Sequence, residues 1–185
     1  MSTTTTTTPN RYRPAVDVTR MSPFHSDRGG VSPTLIVVHA TAGHNRPGIA
    51  DLVGLGGWFC NPAAQVSSHV ATDNEGNSAR FVPDERKAWH CVAYNRMSLG
   101  IEQVAPGDGT EITRDMYRET ARWIAQWSKK YGIPIREAQV DNGRVLRSGV
   151  IRHSSLGSLG GGHADPGRYD MHAMLSLARF YAGKI

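Results

Sequence analysis

The sequence is poor in cysteine and in long apolar stretches. It has only two cysteines among 185 residues, Cys60 and Cys91, which excludes a framework of several disulfides. The pair is open to two interpretations: two reduced core residues, which we favour, or one bridge. No uninterrupted apolar run exceeds four residues, the length of the run at 35–38, whereas a membrane-spanning helix needs about 20. The sequence therefore predicts neither a disulfide scaffold nor a transmembrane protein.

The N-terminus lacks the features of a secretory signal. Met1 and Ser2 are followed by six threonines and Pro9, without a positively charged segment and without an apolar core. This low-complexity, polar composition is typical of disordered segments. We expect residues 1–14 to form a disordered lead and residues 15–185 to form one domain.

Basic runs are also absent. The formal net charge is +5, but lysine and arginine never occur in a run longer than a pair such as Lys129-Lys130. A surface excess that aids solubility explains this charge, and so does an anionic partner such as a cell-wall polymer, a membrane or a nucleic acid. Without a local basic cluster, nucleic acid is the least favoured of these partners.

Apolar periodicity predicts an alternation of strands and helices. The predicted strands cover residues 35–38, 66–72, 78–82, 99–104 and 150–152, and a short hairpin is expected within 135–148. The predicted helices run from Pro47 to the residue before Asn61, over 113–131 and over 170–181. Residues 15–33 and 83–95 are expected to be irregular. This order predicts a single α/β domain with a central mixed β-sheet flanked by about three helices.

Two of the eight histidines stand at predicted strand ends. His39 and His153 each follow an apolar run, and neighbouring strands would present them at the same edge of the sheet. Four glycines follow His153 and allow the chain to double back, which can carry Asp165 towards it. Two imidazoles and a carboxylate are a common ligand set for catalytic zinc. A structural or surface role is the more frequent one for any single histidine.

Glu102 is unusual because it stands inside the apolar strand 99–104. It either faces solvent from an edge strand or points into a pocket, where it could act as a general base.

Other catalytic signatures are missing. The sequence has no His-Glu-x-x-His, Cys-x-x-Cys, Gly-x-Ser-x-Gly or P-loop motif.

Four stretches in this order resemble one family. They are Leu-Ile-Val-Val-His-Ala-Thr at 35–41, Pro-Ala-Ala-Gln-Val-Ser-Ser-His at 62–69, Ala-Trp-His at 88–90 with Ser-Leu-Gly-Ile-Glu at 98–102, and His153 followed by His-Ala-Asp-Pro-Gly at 163–167. The chain resembles the zinc-dependent N-acetylmuramoyl-L-alanine amidases that share a fold with the peptidoglycan recognition proteins, and among them the phage endolysins. The resemblance covers about residues 34–180.

The resemblance implies a role for each matching residue. Zinc would be held by His39, His153 and Asp165, and Glu102 would assist catalysis. His163 stands where the family often has a lysine that stabilises the oxyanion, so an imidazole would take that role here. Positions near the substrate groove match His69, Trp89, His90 and Asn95.

The implied activity is hydrolysis of the amide bond between N-acetylmuramic acid and L-alanine in peptidoglycan, which degrades the cell wall and is bacteriolytic. Residues 15–185 would be the amidase catalytic domain, acting as a monomer without nucleic acid or membrane. An endolysin of this kind is expected to be made in the bacterial host cytoplasm without a signal peptide and to act on the wall after release. The alternatives are a non-catalytic peptidoglycan-binding module and an unrelated basic α/β protein that binds nucleic acid.

Overall fold

A computed structural model describes residues 10–43 and 45–185 of the protein. Three α-helices are present in this part of the chain: α1 (Ala50–Trp58), α2 (Arg114–Tyr131) and α3 (Met171–Ala182). The strands are β1 (Val18–Thr19), β2 (His25–Asp27), β3 (Leu35–Ala40), β4 (Val70–Thr72), β5 (Ser78–Arg80), β6 (Arg86–Ala88), β7 (Ser98–Gln103), β8 (Gln139–Asp141), β9 (Arg144–Arg147) and β10 (Gly149–Arg152). Two 3-10 helices cover Val92–Met97 and His153–Gly160.

The central sheet has six strands in the order β1-β5-β4-β7-β3-β10. All neighbours in it are parallel except β4 and β5, which form an antiparallel pair. The prediction of one α/β domain with a mixed sheet and three helices is confirmed. β2 pairs with β6 and β8 pairs with β9 in separate two-stranded sheets, so the hairpin expected within 135–148 is also present.

Strand β3 lies in the interior of the sheet because its residues are apolar on both faces. All six residues of β3 are buried, as expected for a parallel strand covered on both sides. Side chains alternate between the faces, so Ile36 and Val38 point to one side while Leu35, Val37 and His39 point to the other. The side on which His39 lies is therefore fixed by the position of the apolar run.

Helices α2 and α3 cover the face of Ile36 and Val38. The Thr113 hydroxyl accepts a hydrogen bond from the Met116 N–H at the start of α2, and Gly132 ends the helix in a left-handed conformation with φ of 69°. Trp123 and Trp127 are almost fully buried in the core between this helix and the sheet. A large apolar face thus anchors one side of the sheet and leaves the other side for the site.

The opposite face is covered by the two 3-10 helices. Tyr94 and Leu156, one from each of them, pack against Leu35, Val37 and Ile151. Because these helices cover the middle of the strands, the carboxyl ends of β3, β7 and β10 stay accessible at one edge. In sheets with parallel strands, ligands commonly bind at that edge.

Several local predictions need correction. Strands β1, β2 and β6 lie in segments that we expected to be irregular, and each has only two or three residues, too few for a visible alternation. The segment after β10 forms 3-10 helical turns over His153–Gly160, interrupted by a kink at Gly157, rather than an open glycine loop. The predicted strand 66–72 is shorter, with β4 confined to Val70–Thr72.

The two cysteines are free thiols, so the interpretation as a single bridge is wrong. Cys91 is fully buried in the core and Cys60 is half-buried.

Across the described residues, none of the helices combines the length and apolar character that a bilayer crossing requires. The predicted lead, residues 1–14, lies mostly outside the described residues; within its described part, the Tyr12 ring contacts the Phe180 ring edge-on at 6.3 Å between centroids.

Candidate metal centre

The carboxyl ends of three parallel strands bring the predicted site together. His39 on β3 is in register with Glu102 on β7, and His153 directly follows β10, whose Arg152 is in register with Val38. Because all three residues fall on the face opposite α2 and α3, their side chains point into one space. The sequence and the strand register together therefore place two histidines and a carboxylate at the same edge.

Asp165 reaches this edge because the chain turns back after the 3-10 helix. Gly161 and Gly162 both have positive φ, 107° and 77°, which glycine adopts without steric cost. The Ser154 N–H then donates to the Asp165 carbonyl at 2.7 Å, which holds the returning segment against the start of the 3-10 helix. The predicted approach of Asp165 to His153 is present in the structure.

Three donor atoms converge at the centre. The Nδ1 atoms of His39 and His153 are 3.0 Å apart, and His153 Nδ1 lies 3.1 Å from Asp165 Oδ1. His39 Nδ1 is 3.7 Å from the other oxygen, Asp165 Oδ2. Within residues 10–43 and 45–185, this is the only group of three such side chains whose ligand atoms lie close enough to share a metal ion.

The protonation of these groups suits a cation. The Gly160 carbonyl is 2.8 Å from His153 Nε2 and can only accept, so Nε2 donates to it and Nδ1 is the nitrogen that faces His39 and Asp165. Burial, with smaller contributions from the neighbouring His153 and His90, lowers the pKa of His39 well below its ordinary value, so this ring is neutral. Burial opposes the charge of Asp165, but His153, His39 and the Ala40 N–H hold its pKa below the usual value. These groups fit a divalent metal ion.

Glu102 lies beside this donor group, with Oε1 4.0 Å from His39 Nδ1. Only 14% of its side chain is exposed. Burial, together with the nearby charge of Asp165, raises the pKa of Glu102 to about 8. A cation at the three donors would favour the ionised form of this carboxyl group. This position agrees with the interpretation that Glu102 points into a pocket, and not with the one that it faces solvent from an edge strand.

His163 occupies the rim. Its ring stacks on that of His153, with centroids 4.7 Å apart and an angle of 21° between the planes. Its Nδ1 is 3.9 Å from Asp165 Oδ1, and 62% of the side chain is exposed. His163 is therefore next to the donor group and open to a molecule that enters from solvent.

An open groove of about 680 Å³ leads to the donor group. Trp89, His90 and Asn95, which the resemblance places near substrate, all line it. His69 does not, because it is fully buried and accepts a hydrogen bond from the Gly100 N–H at 2.9 Å. Direct contact between His69 and substrate is thus not available in this structure, and the residue lies behind the groove wall.

The apolar wall of the groove was not predicted from the sequence. An apolar residue at helical spacing is usually buried, but Trp58 of α1 is 51% exposed and lines the groove with Val66 and Val92. Gly54, Gly56 and Gly57 leave α1 without a continuous apolar face. Only two members of the approximate helical stripe in this segment are buried, Leu52 and Phe59, whereas Ile49, Val53 and Trp58 are exposed. In the sequence, these glycines were the sign that the apolar residues of α1 would not all be buried.

Comparisons with known proteins agree with this geometry. A family model described as N-acetylmuramoyl-L-alanine amidase matches residues 29–168. N-acetylmuramoyl-L-alanine amidase A of Achromobacter lyticus is 29% identical over 119 residues, which cover 60% of this chain and 67% of that protein.

Solved structures share the fold. The hydrolase AmiA of Staphylococcus aureus, solved with its ligand, has a TM-score of 0.70 at 19% identity and covers 94% of this chain and 87% of its own. The endolysin amidase LysCS of Clostridium intestinale has a TM-score of 0.61 at 17% identity, with coverage of 89% and 95%. Because the family model spans about three quarters of the sequence and includes His39, His153 and Asp165, the chain belongs to the N-acetylmuramoyl-L-alanine amidase family.

Proposed function

We propose that the protein is a zinc-dependent hydrolase that cleaves the amide bond between N-acetylmuramic acid and L-alanine in peptidoglycan. The observation that carries this proposal is the convergence of His39, His153 and Asp165 beside Glu102 at the end of an open groove. Membership of the amidase family supplies the class of bond.

The spacing of the donor atoms supports zinc. Bonds of about 2.1 Å in a tetrahedral arrangement place neighbouring ligand atoms about 3.4 Å apart. The two Nδ1 atoms are 3.0 Å apart and His153 Nδ1 is 3.1 Å from Asp165 Oδ1, both within a few tenths of an ångström of that value, while His39 Nδ1 is 3.7 Å from the second oxygen of Asp165. Two imidazoles and one carboxylate would supply three protein ligands, the number that is usual for a catalytic rather than a structural zinc.

Zinc bound by these residues supplies a Lewis acid that polarises the scissile carbonyl and makes water a good nucleophile near neutral pH. Glu102 lies beside the three residues that would hold zinc. In its ionised form, Glu102 would take the proton of the attacking water. The same carboxyl group would then return the proton to the amine nitrogen of L-alanine as the amide bond breaks. His39, His153 and Asp165 hold the centre and transfer no proton.

His163 would stabilise the negative charge that develops on the carbonyl oxygen. Its exposed ring is held by stacking on His153, so an N–H of the imidazole is available at the rim of the groove. A donor aimed at this oxygen contributes most when its position is fixed before the reaction. An imidazole thus takes the place of the lysine that is frequent in the family.

The groove suits a polymeric wall substrate. It is partly open to solvent and combines apolar walls at Trp58, Val66 and Trp89 with the polar side chains of the donor group. Trp89 is fixed by a hydrogen bond from its Nε1–H to the Ser26 hydroxyl at 3.1 Å. The expectations that the protein acts as a monomer, avoids nucleic acid and membrane, and reaches the wall only after release remain predictions.

The products of peptidoglycan digestion test this function. The purified protein should release new amino groups of L-alanine from purified cell walls without new reducing sugar ends. A chelator should abolish this release, and added zinc should restore it. His153→Ala should show no release, whereas His172→Ala, an exposed histidine of α3, should match the native protein. New reducing ends would refute amidase activity, and wall binding without either product would support the non-catalytic module.

A further inference from the structure

The second nitrogen of His39 is also engaged. While Nδ1 faces the metal-donor group, Nε2 lies 2.9 Å from Nδ1 of His90. The two rings meet edge-on, at 71° and 5.0 Å between centroids. A neutral imidazole has one N–H and one lone pair, so the proton of His39 lies on Nδ1 or on Nε2. Only the second arrangement leaves Nδ1 free to bind a metal.

A chain of hydrogen bonds decides between these arrangements. The Ser98 hydroxyl donates to the Tyr94 carbonyl at 2.8 Å, and this carbonyl can only accept. Ser98 has a single proton, so its oxygen must accept from His90 Nε2–H, which is 3.0 Å away. His90 Nδ1 then carries the lone pair and accepts from His39 Nε2–H. These hydrogen bonds pair Ser98, the His90 ring and His39 Nε2, and they leave His39 Nδ1, which lies 3.0 Å from His153 Nδ1, without a proton of its own.

Strand β7 is shaped to hold the His90 ring. Its residues Ser98, Gly100 and Glu102 alternate onto the face of the site. A Cβ atom on Gly100 would lie 2.7 Å from His90 Nδ1, so only glycine leaves room for the ring there. The Asn95 side chain also accepts from the His90 N–H at 2.9 Å and fixes the backbone. Three separate contacts therefore set the position of His90.

We propose that His90, seated on Gly100 and anchored by Ser98, is a positioning residue that keeps the proton of His39 on Nε2 and so presents the Nδ1 lone pair to the metal. This inference rests on the proposed metal centre. It also changes the expectation for His90, because His39 and Ser98 occupy both of its ring nitrogens and leave no ring N–H for substrate. Ligand histidines commonly need such a partner, whose loss costs about 10–100-fold in metal affinity.

Two variants with side chains of similar size distinguish a positioning role of His90 from a role in filling space. In His90→Asn, the amide oxygen can take the place of Nδ1 and accept from His39. In His90→Leu, the side chain fills a similar volume but cannot accept. The zinc affinity of each metal-free variant is measured by competition with a chromophoric chelator, without substrate. His90→Leu should bind zinc about 10–100-fold more weakly than the native protein, whereas His90→Asn should bind close to native strength.

Native affinity in His90→Leu would overturn the proposal, and so would equal weakening in both variants, because a purely structural role would not distinguish them. If neither variant folds, the native protein provides the test. With nitrogen-15 in its histidines, NMR of the metal-free protein should show the His39 proton on Nε2, and a proton on Nδ1 would refute the proposal. Neither readout involves peptidoglycan, so failure here is distinct from failure of the proposed hydrolysis.

Discussion

Replacing Glu102 by glutamine removes the proposed general base at almost constant volume. The carboxyl oxygen lies 4.0 Å from His39 Nδ1 and is not one of the three metal donors, so zinc should stay bound. Loss of a general base typically costs 10²–10⁴-fold in rate, which raises the barrier by about 3–5 kcal/mol. We expect Glu102→Gln to bind one zinc and to release L-alanine amino groups at least about a hundredfold more slowly than the native protein.

The same substitution should change how the metal-free protein responds to pH. Burial raises the pKa of Glu102 from 4.5 to about 8, so the folded state holds this proton more tightly than the unfolded state does. The contribution of Glu102 to the stability of the native protein should therefore be fully present below pH 4.5. The free energy of unfolding should fall by on the order of a few kcal/mol as the pH rises to about 8. Glutamine has no proton to lose, so this loss should be absent from Glu102→Gln.

Two assays with one control test this reasoning. Turnover is measured with zinc present, and thermal unfolding is measured with a chelator at several pH values between 5 and 9. Glu137→Gln, which changes an exposed glutamate, should behave as the native protein in both assays. Turnover of Glu102→Gln near the native rate would refute the general base. An unchanged pH dependence of unfolding in this variant would refute the assignment of the raised pKa.

Three further results are expected. His39→Ala and His153→Ala should each lose zinc as well as activity, because two donors hold the ion poorly; stoichiometric zinc in either would contradict the ligand set. A thiol reagent at pH 8 should label Cys60 but not Cys91, whose pKa burial raises to about 12, and labelling of both thiols in the folded protein would be the contrary result. Thr113→Ala should lower the free energy of unfolding by about 1 kcal/mol through loss of the helix cap, which denaturant titration measures; an unchanged midpoint would argue against the cap.

The strongest elements could be predicted from the sequence because their signals are local. The apolar run of β3 has no helical period, so a strand was predicted over 35–38, and the observed strand continues through His39 to Ala40. Helix α2 carries a regular apolar stripe between a capping threonine and Gly132, so its bounds were predicted to within one residue. The return of Asp165 to His153 follows from the glycines between them. The roles assigned to these site residues remain predictions.

Other features depend on contacts that a single sequence does not show. The burial of His69 is produced by neighbours distant in the chain, among them Arg28, whose guanidinium lies 2.8 Å from it. The hydrogen bonds of His90 link three segments, and no spacing in the sequence indicates their direction. The exposure of Trp58 was missed because an apolar residue at helical spacing is usually buried, and only the glycines beside it weakened that expectation.

Titration of metal-free protein with zinc tests the central claim most directly. The substrate is a muramoyl peptide with one muramic acid to L-alanine amide bond, and the readout is free L-alanine amino groups. The account predicts no release without metal, a linear rise with added zinc, and a plateau at one zinc per chain. Release from metal-free protein, or no release at saturating zinc, would contradict a zinc-activated hydrolysis at His39, His153 and Asp165.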